Sequence, residues 1–225
     1  MIGGILKYLN KGNKDVVLSY KALRRLIGFL GILLPIVLIL GGWLFAKDQI
    51  QQSISLYYYS NMRDFLVGIL FVVALFLMTY KGTYVIDNVI TTITGIAGLC
   101  VAIFPCFNEL YETQRVGIFQ MYPDKSNIIH LTFASLFFIL LAINSIFLFT
   151  RKSNPVTPQK LKRNKVYVIC GIIILACFLG LIICMLTLTQ EQKFDSKIIL
   201  ILESVALWAF GVSWLVKGET IFTDK

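Results

Sequence analysis

Asp64, His130 and Glu203 stand out in an otherwise oily chain as side chains that could exchange a proton, hold a cation or bind a polar headgroup. Each lies at the edge of a different long apolar run or one to two turns inside it. Ionisable groups are costly in lipid and face a bundle interior or a wet cavity. Asp64 closes the most polar stretch of the sequence, Ser53-Ile-Ser-Leu-Tyr-Tyr-Tyr-Ser-Asn-Met-Arg-Asp64. There, Arg63 is placed to meet a headgroup phosphate and Tyr58 to offer a ring face. Glu109 belongs to the loop over 106–126, which also holds Tyr111, Glu112, Arg115, Tyr122 and Asp124. These six residues, Tyr58, Arg63, Asp64, Glu109, His130 and Glu203, form the expected binding set.

Other chemistries fit less well. A zinc hydrolase needs several nitrogen or sulfur ligands, and the chain has one histidine and no i, i+4 ligand pair. No GxSxG elbow is present, and Ser135 merely follows His130 by five residues. The sequence carries no cofactor motif and no catalytic residue is assigned. Five cysteines without CxxC pairs indicate neither a metal site nor a disulfide framework. Cys170, Cys177 and Cys184 recur every seven residues, with Gly180 on nearly the same face. Small residues in one stripe let helices approach, so this reads as a packing seam within the bundle or between copies in a homo-oligomer.

The elements that must position these residues are membrane helices. Of 225 residues 57% are hydrophobic and only 15% charged, and the mean hydropathy is +0.79. A soluble domain carries about 25% charged residues. The net charge of +9 is gathered beside apolar runs rather than along a polar face, which argues against nucleic acid and for anionic lipid as partner. Apolar runs predict six spans over 23–46, 64–80, 88–104, 127–150, 166–189 and 196–216, an all-α six-helix bundle in one domain over 1–225. The first run is too long for a signal-peptide core and reads as a signal anchor. Pro35 should kink the first span. Gly95 and Gly98 should permit close contact on the third. Ser126 or Asn127 should cap the fourth span and Asp195 or Ser196 the sixth.

Residues 1–22 place Ile2, Ile5, Leu6 and Leu9 at helical spacing among lysines, as an amphipathic surface helix would. Lys and Arg concentrate there and in the linker over 151–165, whereas the alternate loops hold few. The positive-inside rule therefore places both termini in the cytoplasm of a cell-membrane protein. It also puts Asp64, His130 and Glu203 in one outer leaflet, with Tyr57, Tyr58 and Tyr59 in the aromatic belt. Polar positions within the spans (Thr91, Thr92, Thr94, Asn144, Ser145, Ser213) are too few for an open monomeric pore.

The pattern Ile-Ser-x-Tyr-Tyr-Tyr…Arg-Asp-x-x-Val-Gly-Ile-Leu…Thr-Tyr-Lys-Gly over 54–82 resembles a group of bacterial six-span proteins of unknown function. It is distantly similar to the DRAM/Sfk type, as are Gly95-Ile-Ala-Gly98, Ala102-Ile-Phe-Pro105 and His130 with Ala134-Ser-Leu-Phe-Phe. That resemblance implies a lipid-linked or membrane-organising role and transfers no catalytic residue. The expected function is non-enzymatic binding of a lipid or small amphiphile. An oligomeric channel, a membrane-disrupting effector and a proton-coupled transporter using Glu203 are the alternatives.

Overall fold

The described residues form seven α-helices, six of them long and set by the apolar runs: α1 (Ile2–Gly41), α2 (Arg63–Thr79), α3 (Val85–Ile103), α4 (Pro123–Ile143), α5 (Pro158–Thr187), the short polar α6 (Gln190–Ser196) and α7 (Ile198–Lys217). The computed structural model describes residues 2–46, 50–151 and 157–223, and its account of side chains begins at Tyr20. Wider π turns continue α1 over Gly42–Ala46 and α4 over Asn144–Leu148. Among the described residues the one β pairing is an isolated bridge between Val116 and Met121.

Among the described residues, five helical stretches are long and apolar enough to cross a membrane: Tyr20–Phe45, Val85–Ile103, Pro123–Leu148, Pro158–Thr187 and Ile198–Lys217. The chain is thus all-helical and compatible with an integral membrane protein. Each long helix packs on its successor, and α7 returns to α1, so α1, α2, α3, α4, α5 and α7 close a ring. The α1–α7 seam is a contact of backbones. A Cβ on Gly28 would lie 2.7 Å from the Gly211 carbonyl oxygen, and one on Gly211 would lie 2.6 Å from that of Gly28. Gly95 allows the approach expected of α3, since a Cβ there would meet the Ala74 carbonyl oxygen of α2 at 2.5 Å.

Several helix ends differ from expectation. The helix runs unbroken from the N-terminal segment into the first span and accommodates Pro35 in its interior. The expected amphipathic face of residues 1–22 falls mostly outside the described side chains. α4 starts at Pro123 rather than at a polar cap, because proline at the first position needs no N–H partner. Ser126 Oγ instead donates to the Pro105 carbonyl at 2.8 Å, and Asn127 Oδ1 accepts from the Phe107 N–H at 3.0 Å. α5 begins within the basic linker, eight residues before the expected span, capped by Thr157, which accepts from the Lys160 N–H. At the head of α7, Lys197 takes a left-handed conformation, and Ser196 Oγ accepts from the Ile198 N–H only at 3.4 Å.

The cysteine stripe of α5 turns inward. Cys170 and Cys177 are buried in the main core and Gly180 faces Leu202 of α7, whereas Cys184 is only half-buried. The polar residues within spans are bonded inside the bundle: Asn144 donates to Thr94 Oγ1 at 3.1 Å and Ser145 to the Tyr167 carbonyl at 2.8 Å. Overpacking a tight seam costs about 1–3 kcal/mol. Gly28→Val and Gly211→Val should therefore each lower the unfolding temperature in detergent. Gly68→Ala, where an added methyl meets nothing within 4 Å, should leave it unchanged or raise it.

Candidate functional site

The chain between α1 and α2 inserts into one end of the helix ring. A peptide among apolar helices must have its polar groups bonded, and two residues of α7 together with the segment's own Ser53 supply backbone partners. The Gln52 carbonyl accepts from the Leu200 N–H at 2.9 Å, covering an amide that the start of α7 would leave open. One turn along α7, Glu203 Oε2 accepts from the Ile54 N–H at 2.5 Å. Ser53 Oγ accepts from the Leu56 N–H at 3.1 Å, and a 3₁₀ turn follows over Ser55–Tyr59. Tyr59 donates its hydroxyl to the Cys106 carbonyl at 2.7 Å, while its ring stacks on Tyr111 with centroids 4.8 Å apart.

His130 joins this segment to α3 and α4. Its Nδ1 lies 2.7 Å from the Phe104 carbonyl oxygen, and its Nε2 3.1 Å from Ser55 Oγ. A carbonyl only accepts, so Nδ1 carries the proton, and in the neutral ring Nε2 accepts from the Ser55 hydroxyl. Serine, imidazole and an orienting acceptor thus stand in the order used by nucleophilic enzymes. The surroundings oppose that use. The Ile54 N–H is already engaged, and the Glu203 carboxylate beside it would repel an oxyanion rather than stabilise one. The arrangement anchors a backbone segment and presents polar atoms to a cavity.

Comparison with family models, with characterised proteins and with solved structures returns no match.

What the site can do follows from its shape. A narrow cavity of about 50 Å³ is lined by Tyr58, His130 and Glu203 among Leu34, Leu70, Phe137 and Leu207. Beside it, a groove of about 640 Å³ runs between α4, α5 and the head of α7. Such a volume suits a small ligand. Ser55, His130, Ala134, Phe138 and Glu203 line both spaces. Of the six expected residues, Tyr58, His130 and Glu203 meet at the narrow cavity. Arg63 reaches the site only through Tyr58, donating to its hydroxyl at 2.7 Å with the guanidinium 4.3 Å over the ring. Asp64 and Glu109 are exposed and line neither space.

The tyrosines correct the aromatic-belt expectation. Tyr57 and Tyr58 are buried in the core of the bundle end, because the segment folds inward instead of along the interface. Sequence reasoning missed Ser55, Gln52, Ser53, Asn127, Asp124 and Lys193, which contribute polar atoms to the groove. Ser53 and Ser55 left a signal, since both flank Ile54 in the polar stretch that also holds Tyr58, and Asp124 stood in the loop that holds Glu109.

Burial, and then the nearby Glu203 charge, pushes the Cys106 thiol well above its ordinary value, and burial likewise keeps Tyr59 a phenol. Alkylation at about pH 8.5, near the ordinary thiol pKa, should leave Cys106 unmodified in the folded protein, as read by mass spectrometry. Glu203→Ala removes the Ile54 acceptor and should cost about 1–3 kcal/mol. Glu203→Gln, which keeps an acceptor oxygen, should cost less in the same thermal unfolding experiment.

Proposed function

We propose that this protein is a six-span membrane protein that binds a lipid or small amphiphile in the groove between α4, α5 and α7, without catalysis. One observation carries the reading, the gradient of polarity along the groove. Asp124, Asn127, Gln52 and Lys193 lie at the bundle end, Ser55, His130 and Glu203 lie further in, and Phe178 and Phe138 lie deepest by helix register. An amphiphile has the same gradient, with a headgroup that exchanges hydrogen bonds and a chain that fills apolar space. The acidic and basic groups at the mouth fit a zwitterionic or neutral polar headgroup better than a strongly anionic one.

Counting α2 as the sixth span rests on its path. Its 17 residues reach about 25 Å, at the lower limit for a crossing. It leaves the segment bonded to Glu203 and ends beside Lys81, whose N–H and carbonyl both bond to Tyr20 Oη at the opposite end. That opposite end holds Lys21, Arg24, Arg25, Arg151, Lys160 and Arg163, so the positive-inside rule supports a cytoplasmic basic end and an outward-facing groove. The distant DRAM/Sfk resemblance agrees with a lipid-linked role. Channel and transporter readings gain no such support, because Thr94, Asn144 and Ser145 bond within the bundle instead of lining a path.

Native mass spectrometry of the detergent-purified chain tests the proposal. Wild type and Asp64→Ala should retain co-purified lipid, while Ala134→Phe, which fills the groove, and Glu203→Ala should lose it. Equal retention by all four proteins would refute the site.

A further inference from the structure

The end of the bundle opposite the groove is built on an aromatic floor. The Trp214 ring meets Tyr80 and Phe149 edge-on, each at 5.1 Å between centroids, and Phe149 meets Tyr167 at 5.4 Å. Cations crowd this floor. The Arg24 guanidinium lies 5.2 Å over Tyr20 and 5.4 Å over Tyr80. Lys217 Nζ lies 4.9 Å over Phe149. Lys160 Nζ donates to the Phe149 carbonyl at 2.8 Å, and Arg163 Nη1 to the Phe222 carbonyl at 2.5 Å. Lys160, Arg24 and Arg163 stand close enough to Lys217 to repel its charge, and Asp87, already paired with Arg151, offsets only part of that repulsion.

The described carboxylates at this end are already paired with other cations. Asp87 pairs with Arg151 at 2.8 Å and Glu219 with Lys21 at 2.6 Å. Arg24 Nε is buried without a hydrogen-bond acceptor. A desolvated donor without an acceptor is destabilising, and more so when it is charged. Like charges brought together away from water add to that cost. Basic pockets between spans on the cytoplasmic side are where anionic headgroups bind.

We propose that Arg24 and Lys217 form a binding site for a phosphate group on this aromatic floor. The guanidinium supplies directional N–H donors and the ammonium a point charge, a pairing suited to a tetrahedral oxyanion. The phosphate belongs either to an anionic phospholipid or to a soluble phosphate ion, and the two sources are separable. The site is independent of the groove, which lies at the other end of the same helices.

The test uses the full chain in zwitterionic detergent, with Trp214 fluorescence reporting titrations of short-chain phosphatidylglycerol and of inorganic phosphate. Wild type should bind phosphatidylglycerol alone if the source is lipid, or both probes if it is a soluble anion. Arg24→Gln and Lys217→Gln should each weaken binding roughly tenfold or more. Lys165→Gln, which removes the same charge from an exposed position on α5, should change it by less than about twofold. Absence of binding to either probe, or equal weakening by Lys165→Gln, would overturn the site. Stability supplies a second reading. Without added anion, Lys217→Gln should melt at or above wild type because repulsion is relieved. A lower melting temperature would mark the ammonium as a contact satisfied within the protein and would also overturn the proposal.

Discussion

A stretch of irregular backbone lodged among apolar helices persists only while its amides and carbonyls find partners, and here the Glu203 carboxylate is the central one. Its bond to the Ile54 N–H fixes the first turn of the segment between α1 and α2. From that point Tyr57 and Tyr58 are carried into the core, and Tyr59 is brought within reach of the Cys106 carbonyl. Ser55 is brought to His130, and through Nδ1 the imidazole ties the same segment to the end of α3. Hydrogen bonds to an ionised carboxylate are about twice as strong as neutral ones, a gain set against the cost of burying the charge.

The inserted segment also explains where space remains. Leu34, Leu38, Leu66, Leu70 and Leu207 close around Ile54, Tyr57 and Tyr58 as a second core, separate from the larger core around Trp214. On the other flank, α4 meets α7 only sparsely, and the interval opens as the groove. The α1–α7 and α2–α3 seams, by contrast, close on glycines until carbonyl oxygens fill the place of side chains. Tight seams on one flank and an open one on the other give the ring a sided cavity. The two ends then differ in chemistry, one mixing acidic, basic and neutral groups and the other being predominantly basic.

Apolar runs made the long helices legible, and the spacing of Gly95 made its contact with α2 legible too. Helix ends were less so, because capping depends on partners distant in sequence: Ser126 and Asn127 bond the loop after α3, and Leu200 bonds Gln52. The basic linker concealed the start of α5, since Lys160 and Arg163 are buried against backbone carbonyls that no local pattern reveals. Depth along a span placed His130 and Glu203 together, but depth carries no azimuth. Asp64 shares their level and points away, whereas Ser55, unremarkable in sequence, is turned toward them. Three consecutive tyrosines suggested an interface because their rings are amphipathic. A 3₁₀ turn that buries two of them follows from the Glu203 latch, a contact across 149 residues.

The latch and the groove share one group. Glu203 bonds the inserted segment and also lines both cavities. In the reading proposed above, a headgroup that donates hydrogen bonds into the groove competes with the Ile54 N–H for the same carboxylate. A headgroup that only accepts leaves that bond alone and draws its donors from the groove mouth, where Gln52, Asn127 and Lys193 stand, because the Ser55 hydroxyl and the His130 N–H are already committed. Segment order and ligand chemistry are then linked through a single acceptor, as two ligands are linked when they share a site. Occupancy by a donor headgroup must loosen the segment by as much as the segment opposes binding, whereas an acceptor headgroup leaves the latch closed. In that reading, the carboxylate that lets a polar segment reside among apolar helices would also set which amphiphiles the groove holds without opening.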